Sequence, residues 1–331
     1  MRRAITPRQA DLRPALRVGL GLAVPGSALL LAGRPDLIVY AVFGAVTGTY
    51  GREESRRRRL VHQAFGATML LAGVAGGAAL SHHHSPGWLL ICSAMVFVVF
   101  GSVVADLVGL RPAGPFYGLV ALGAVASIPA HRACPIVALG ICASTALLSI
   151  VLGALDTPAS ALESEPVEQI DARGIGVHAL RYGIAIAAAG IVGDALGVDH
   201  ANWAMTAAAG PLAAPDPSAR LTRGLHRLIG TLIGLGVAAA LLVPQPSDEV
   251  LALAVMALLF PTELFMSHHH AVAVGFFTPL IMLITDLANP TEPLALLTAR
   301  GLDTVIGVGA ALAVSLVVCD RYRQRSCPTG P

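Results

Sequence analysis

Lysine is absent from this 331-residue chain, and charge of either sign is scarce. All 22 basic residues are arginine, 20 residues are acidic, and charged residues make up 13% of the total, where soluble domains hold about 25%. So small a supply could not cover the surfaces of soluble domains. A formal net charge of +2 gives no reason to expect a nucleic-acid partner. The five cysteines form no CxxC and no paired spacing, which removes a disulfide framework and a zinc site. Also missing are a P-loop, a GxSxG elbow, an HExxH pair and an Asp-rich diphosphate motif. The expectation is a chain that is not an enzyme, uses no cofactor or metal, and hydrolyses no ATP of its own.

What fills the chain is apolar: 55% of residues are hydrophobic, with a mean hydropathy of +0.72. A helix needs about 20 apolar residues to cross the hydrocarbon core. The first half offers candidate spans near 15–33, 35–51, 60–80, 87–109, 114–130 and 133–155. The second half offers 176–193, 199–214, 224–243, 248–267, 270–288 and 294–318. Pro, Gly, Asp and Ser punctuate them, as in interhelical loops. The second, fifth and eighth are short. The expected fold class is an all-α integral membrane protein of about 12 transmembrane helices, with the lipid bilayer as its surroundings.

Arginine orients the spans. Residues 1–17 form a basic, polar arm with no small-residue cleavage site, which reads as a cytoplasmic tail and not a cleaved signal peptide. With this end inside and the spans alternating, Arg2 to Arg17, Arg52 to Arg59, Arg111, Arg173, Arg181, Arg220 to Arg227 and Arg321 to Arg325 fall on the cytoplasmic side. Only Arg34, Arg132 and Arg300 fall outside. Such a bias follows the positive-inside rule. It places both termini in the cytoplasm of a multi-pass protein of the bacterial plasma (inner) membrane.

The chain also repeats itself. A shift of 164 residues lays ALRVG (15–19) on ALRYG (179–183), and Arg56, Arg59, His62 and Gly66 on Arg220, Arg223, His226 and Gly230. Shared charges at one fixed offset indicate two copies of a six-helix unit. These are residues 1–155 and 176–318, joined by the acidic stretch 156–175 and followed by the tail 319–331. Six spans return the chain to its starting side, so the copies should be parallel, related by an axis along the membrane normal. GxxxG patterns at Gly73–Gly77 and Gly230–Gly234 predict close helix packing.

The second half resembles a known family. Arg181 opens its first span; NWAMTAAAGPLAAPDPSARLTRGLHRLIGTLIG (202–234), HHHAVAVGFFTPLIML (268–283) and ARGLDTVIG (299–307) follow. This order is similar to the fusaric acid resistance protein-like (FUSC) membrane transporters, which include aromatic acid exporters and are related to plant aluminium-activated malate transporters. The family's R…R…R…GT pattern falls on Arg220, Arg223, Arg227, Gly230 and Thr231, and its R-x-x-D-T-x-x-G pattern on Arg300, Asp303, Thr304 and Gly307. The resemblance implies a six-helix unit assembled as a pair, here fused. Arg300 and Asp303 map at the 164-residue offset onto Ile136 and Leu139, so the halves are not expected to be equivalent. The large cytoplasmic domain of many members has no counterpart in these residues.

Charges inside a bilayer are costly, and those retained invite a functional reading. Arg300 and Asp303 share a helix face. Together they form a structural pair near the outer interface or a carboxylate site, for which the planar arginine fork is suited. Arg17 and Arg181, at the entrances of spans 1 and 7, either anchor the interface or draw anions inward. Trp203 reads as an aromatic-belt residue or as a stacking platform for an aromatic substrate. Glu263, after Pro261, is a candidate proton carrier, as are His62 and His226 at equivalent places. Asp106 and Asp286 are weaker candidates. The runs SHHHS (81–85) and SHHHA (267–271) do not match metal-ligand spacing.

The expected function is transport: an exporter of small aromatic or hydrophobic organic acids, driven by the proton gradient or the membrane potential. A passive organic-anion channel and a non-transporting membrane scaffold are the alternatives. Homo-oligomerisation is left open.

Overall fold

The computed structural model describes residues 9–83, 85–156, 172–197, 201–214 and 216–318. The tail 319–331 and residues 157–171 of the acidic linker lie outside them. Among the described residues there are twelve α-helices and no strand. The first six are α1 (Gln9–Leu31), α2 (Ile38–Val46, flanked by single 3-10 turns at Pro35–Leu37 and Thr47–Thr49), α3 (Arg56–His82), α4 (Gly87–Val108), α5 (Phe116–Ala126) and α6 (Pro135–Leu155). The second six are α7 (Ala172–Ala195), α8 (Ala201–Leu212), α9 (Pro217–Leu242), α10 (Asp248–Met266), α11 (His270–Ala288) and α12 (Pro293–Val317). Proline at the first helical position starts α6, α9 and α12, where its missing N–H has no intrahelical acceptor to lose. Gly109, in the left-handed region at φ 66°, ends α4.

Nine of these helices are long and apolar enough to cross a membrane. The exceptions are α2, α5 and α8, the three spans that the sequence marks as short. At 1.5 Å per residue, α5 and α8 reach only about 17 Å, short of the roughly 30 Å hydrocarbon core. They are also the most enclosed elements. Every residue of α2 is buried, as is nearly all of α5 and α8. A helix that stops inside the bilayer leaves backbone groups unpaired, and this is tolerated only where protein surrounds it.

The long helices carry the opposite pattern. Leu16, Leu20 and Val24 on α1, Leu221, Leu225, Ile229 and Leu232 on α9, and Leu302 and Val305 on α12 are exposed. Arg59, Arg181, Arg227 and Arg300 are among the largest fully buried side chains. Apolar outside and charged inside is the arrangement for a lipid solvent.

Helix pairings recur six elements apart. α1 packs on α2 and α6 as α7 packs on α8 and α12; α3 packs on α5 as α9 packs on α11. Contacts between the halves follow the same rule: α1 meets α10 as α7 meets α4, and α2 meets α11 as α8 meets α5. The fourth helix of each half therefore reaches the first helix of the other. The GxxxG glycines serve these pairings within the chain. Gly73 and Gly77 face the backbone of α5 at Gly118 and Leu122, and Gly230 and Gly234 face that of α11 at Ala271 and Gly275. α7 begins at Ala172, so the linker's last four residues are helical.

Candidate functional site

Several buried arginines bind the ends of helices. The Arg59 guanidinium on α3 donates to the Gly153 carbonyl at 2.7 and 3.0 Å and to the Asp156 carbonyl at 2.6 Å. Arg17 on α1 donates to the Asp156 carboxylate at 3.0 Å and to the Gly48 carbonyl at 3.1 Å. Both place positive charge at the C-terminus of α6, the negative end of its dipole. In the second half Arg181 on α7 donates to the Val318 carbonyl at the end of α12, 3.1 Å away. Arg220 donates to the Ala214 carbonyl at 3.1 Å. The Asp216 carboxylate caps α9, accepting from the Ser218 hydroxyl at 2.7 Å and the Ala219 N–H at 2.8 Å. These bonds, that of Ser218 first, hold its carboxyl below the ordinary value.

Glu263, in the last turn of α10, is buried and forms an ion pair with Arg52 of the α2–α3 loop. It also accepts from the Thr49 hydroxyl at 2.9 Å, and Arg52 donates further to its backbone carbonyl at 2.9 Å. His62 is buried on α3, with Nδ1 2.9 Å from the Glu54 carboxylate. Its repeat partner His226 is half-buried on α9. Asp106, in the last turn of α4, meets His178 of α7 at 2.7 Å. Asp286 is half-buried near the end of α11 and accepts from the Thr291 N–H at 3.3 Å.

A different arrangement occupies the middle of the second half. Arg300, Asp303, Thr304 and Gly307 form one buried face of α12. Gly307 lets that face lie on the α8 backbone at Ala204 and Ala208, which brings Arg300 under the Trp203 ring, 5.2 Å from its centroid. From α9, Arg227 sits 5.4 Å from the Phe116 ring of α5. Phe116 in turn contacts Phe277 of α11, their centroids 5.9 Å apart. Arg300, Trp203, Phe277, Asn202 and Thr206 line a cavity of about 10 Å³, room for about one water molecule.

These two arginines each have two buried N–H-bearing nitrogens without an acceptor, where Arg17 has one, Nε, and Arg59 has none. Nε and Nη2 of Arg227 and Nε and Nη1 of Arg300 have no hydrogen-bond acceptor, and neither oxygen of Asp303 has a donor. Arg300 and Asp303 are neighbours on α12 but share no hydrogen bond. Cation–π contact with an aromatic face holds a guanidinium without using its N–H groups, so these donors remain for a ligand.

The structure thus brings Arg300, Asp303 and Trp203 together, and places Arg17, Arg181, Glu263, His62 and His226 elsewhere. Trp203 is buried, which removes it from an aromatic belt. Arg227 and Phe116 join the cluster though neither was a sequence candidate. Arg227 was grouped with the cytoplasmic arginines Arg220 and Arg223, yet small residues flank it as Gly224, Gly230 and Thr231, the mark of a helix face packed against neighbours. The histidine runs supply no metal site among the described residues; His84 lies outside them.

Fold and site together define a multi-pass helical membrane protein with a charged interior. Residues 186–314 match the family described as fusaric acid resistance protein-like. The match runs from α7 into α12 and takes in Arg227, Arg300, Asp303, Trp203 and Phe277, but not Phe116. A curated relative, the uncharacterized membrane protein YvaC of Bacillus subtilis (strain 168), is 27% identical over 153 residues, 46% of this chain. The aligned part spans 24% of that relative's length. No solved structure matches the chain.

Proposed function

We propose that this protein transports small organic anions across the membrane, as an exporter of aromatic or otherwise hydrophobic carboxylates driven by the proton gradient or the membrane potential. The observation that carries this reading is the pair of buried arginines, each over an aromatic ring, with N–H groups unfilled. A charged group buried without hydrogen bonds destabilises the fold unless something else answers it, and an organic anion answers both arginines at once. The fork geometry favours carboxylate, and the rings favour an apolar or aromatic body.

On this reading Arg17 and Arg59 hold the end of α6, and Arg181 holds the end of α12. The two halves act as parallel six-helix repeats, with only the second carrying the anion site. Both termini face the cytoplasm of a bacterial plasma membrane, and the chain performs no covalent chemistry. A cavity of about 10 Å³ cannot hold a benzoate, so binding requires α8 or α11 to move. Both helices contain a proline, Pro211 and Pro279, where the backbone ladder is already interrupted.

The test is flux through liposomes holding the purified protein, with aromatic and aliphatic carboxylates, with and without a pH gradient. Uptake of aromatic carboxylates above protein-free liposomes is expected. Flux that follows voltage alone with no response to a pH gradient would make the protein a channel. No carboxylate movement under any gradient would overturn the transport reading.

A further inference from the structure

Corresponding acids lie at the two seams between the halves. Asp106 stands in the last turn of α4 and Glu263 in the last turn of α10. α4 packs on α7 as α10 packs on α1. Each carboxylate meets a base of the other half, beside the C-terminal end of a short inner helix. For Glu263 the base is Arg52, next to Thr49 beyond α2. For Asp106 it is His178, whose Nδ1 lies 2.7 Å from the carboxylate. The other ring nitrogen, Nε2, lies 3.4 Å from the carbonyl of Leu212, the last residue of α8. Arginine keeps its proton at every physiological pH; histidine does not. One seam therefore has a permanent ionic contact, and the other a titratable one.

Both nitrogens of His178 face acceptors. A neutral imidazole carries one N–H and serves only one of them, whereas an imidazolium donates to both. With the proton on, His178 ties α4, α7 and the end of α8 together. With the proton off, one tie is lost. The other groups around it are Tyr182, one turn further along α7 with its ring 5.0 Å from that of His178, and Arg181, Arg220 and Arg223, which act electrostatically on the same neighbourhood as Asp106 does. The helix that proton loss would release carries Asn202, Trp203 and Thr206, three of the residues around the anion cavity.

We propose that His178, paired with Asp106, is the proton-binding site that couples proton movement to the position of α8, and hence to the anion site. This rests on the transport reading, from which its test is separable. The chain has two tryptophans, and the second, Trp88, is exposed on α4. In a Trp88→Phe background Trp203 reports on α8 alone. Its emission, followed from pH 5 to 8.5 on the purified full-length protein in nanodiscs, is expected to show one step. The step should vanish in His178→Gln, and in Asp106→Asn it should move to lower pH because the carboxylate that favours the imidazolium is gone. A step unchanged in His178→Gln, or absent with His178 intact, overturns the proposal. Should His178→Gln not assemble, a step unmoved in Asp106→Asn does the same. In liposomes, stimulation of benzoate flux by a pH gradient should fall to about one-fold in His178→Gln. If it persists at the parent's level, the proton site is wrong while transport stands. If the parent moves no carboxylate at all, the transport reading is wrong whatever the emission shows.

Discussion

Replacing Arg227 with methionine should make the empty protein more stable and useless for transport. Arg227 is buried with Nε and Nη2 lacking acceptors, and each such donor costs about 1–3 kcal/mol. The Phe116 face 5.4 Å away returns about 2 kcal/mol when desolvated, and Arg300, of like charge, acts on Arg227 electrostatically. Methionine is unbranched and adaptable enough to fill most of the space. The balance is a gain of about 1–3 kcal/mol, read as a rise of a few degrees in the thermal midpoint of detergent-solubilised protein. Arg59→Met is the contrast. Its guanidinium makes three hydrogen bonds to helix-end carbonyls, and breaking such a buried charged contact should cost about 3–5 kcal/mol. Equal losses from the two substitutions would mean that Arg227 is a structural clamp like Arg59, and the reasoning from unfilled donors would be refuted.

Breaking the buried Arg52–Glu263 pair with Glu263→Gln should cost about 3 kcal/mol by leaving Arg52 without its carboxylate. A double-mutant cycle with Arg52→Gln, measured by thermal unfolding, should recover most of that loss. Gly307→Ala should lower the thermal midpoint by the equivalent of about 1–3 kcal/mol, since its Cβ would lie 2.6 Å from that of Ala207 and 2.8 Å from the Ala208 nitrogen. Gly309→Ala, on the same helix with open space around it, should be neutral or slightly stabilising.

Sequence reading located the spans well because a membrane helix declares itself by composition. The range 270–288 is α11 to the residue, and α6 and α12 begin within two residues of expectation. The starts of α3 and α9 were placed four and seven residues late, at 60 and 224 instead of 56 and 217. Counting apolar residues registers only the part of a helix inside hydrocarbon, whereas arginine-rich first turns extend into the interface and remain helical. Arg227 fell inside the span read from 224 but was grouped with the cytoplasmic arginines Arg220 and Arg223; counted from Pro217 it lies in the third helical turn. Arg300, Asp303 and Trp203 were legible because polar or aromatic groups inside an apolar run stand out. Their partners were not, since which ring lies under which guanidinium depends on how α5, α8, α9, α11 and α12 pack. Nor could the sequence separate Arg17 and Arg181, engaged with helix ends, from Arg227 and Arg300; all four are arginines near apolar runs, and only the acceptors around them differ.

The central claim is that Arg227 and Arg300 together receive a carboxylate. Calorimetric titration of the purified protein with benzoate and with benzamide, which keeps the ring but not the charge, tests it most directly. Benzoate should bind, benzamide should not, and the Arg227→Met/Arg300→Met double variant should bind neither while remaining folded. Equal binding of both compounds, or benzoate binding that survives in the folded double variant, would contradict the account.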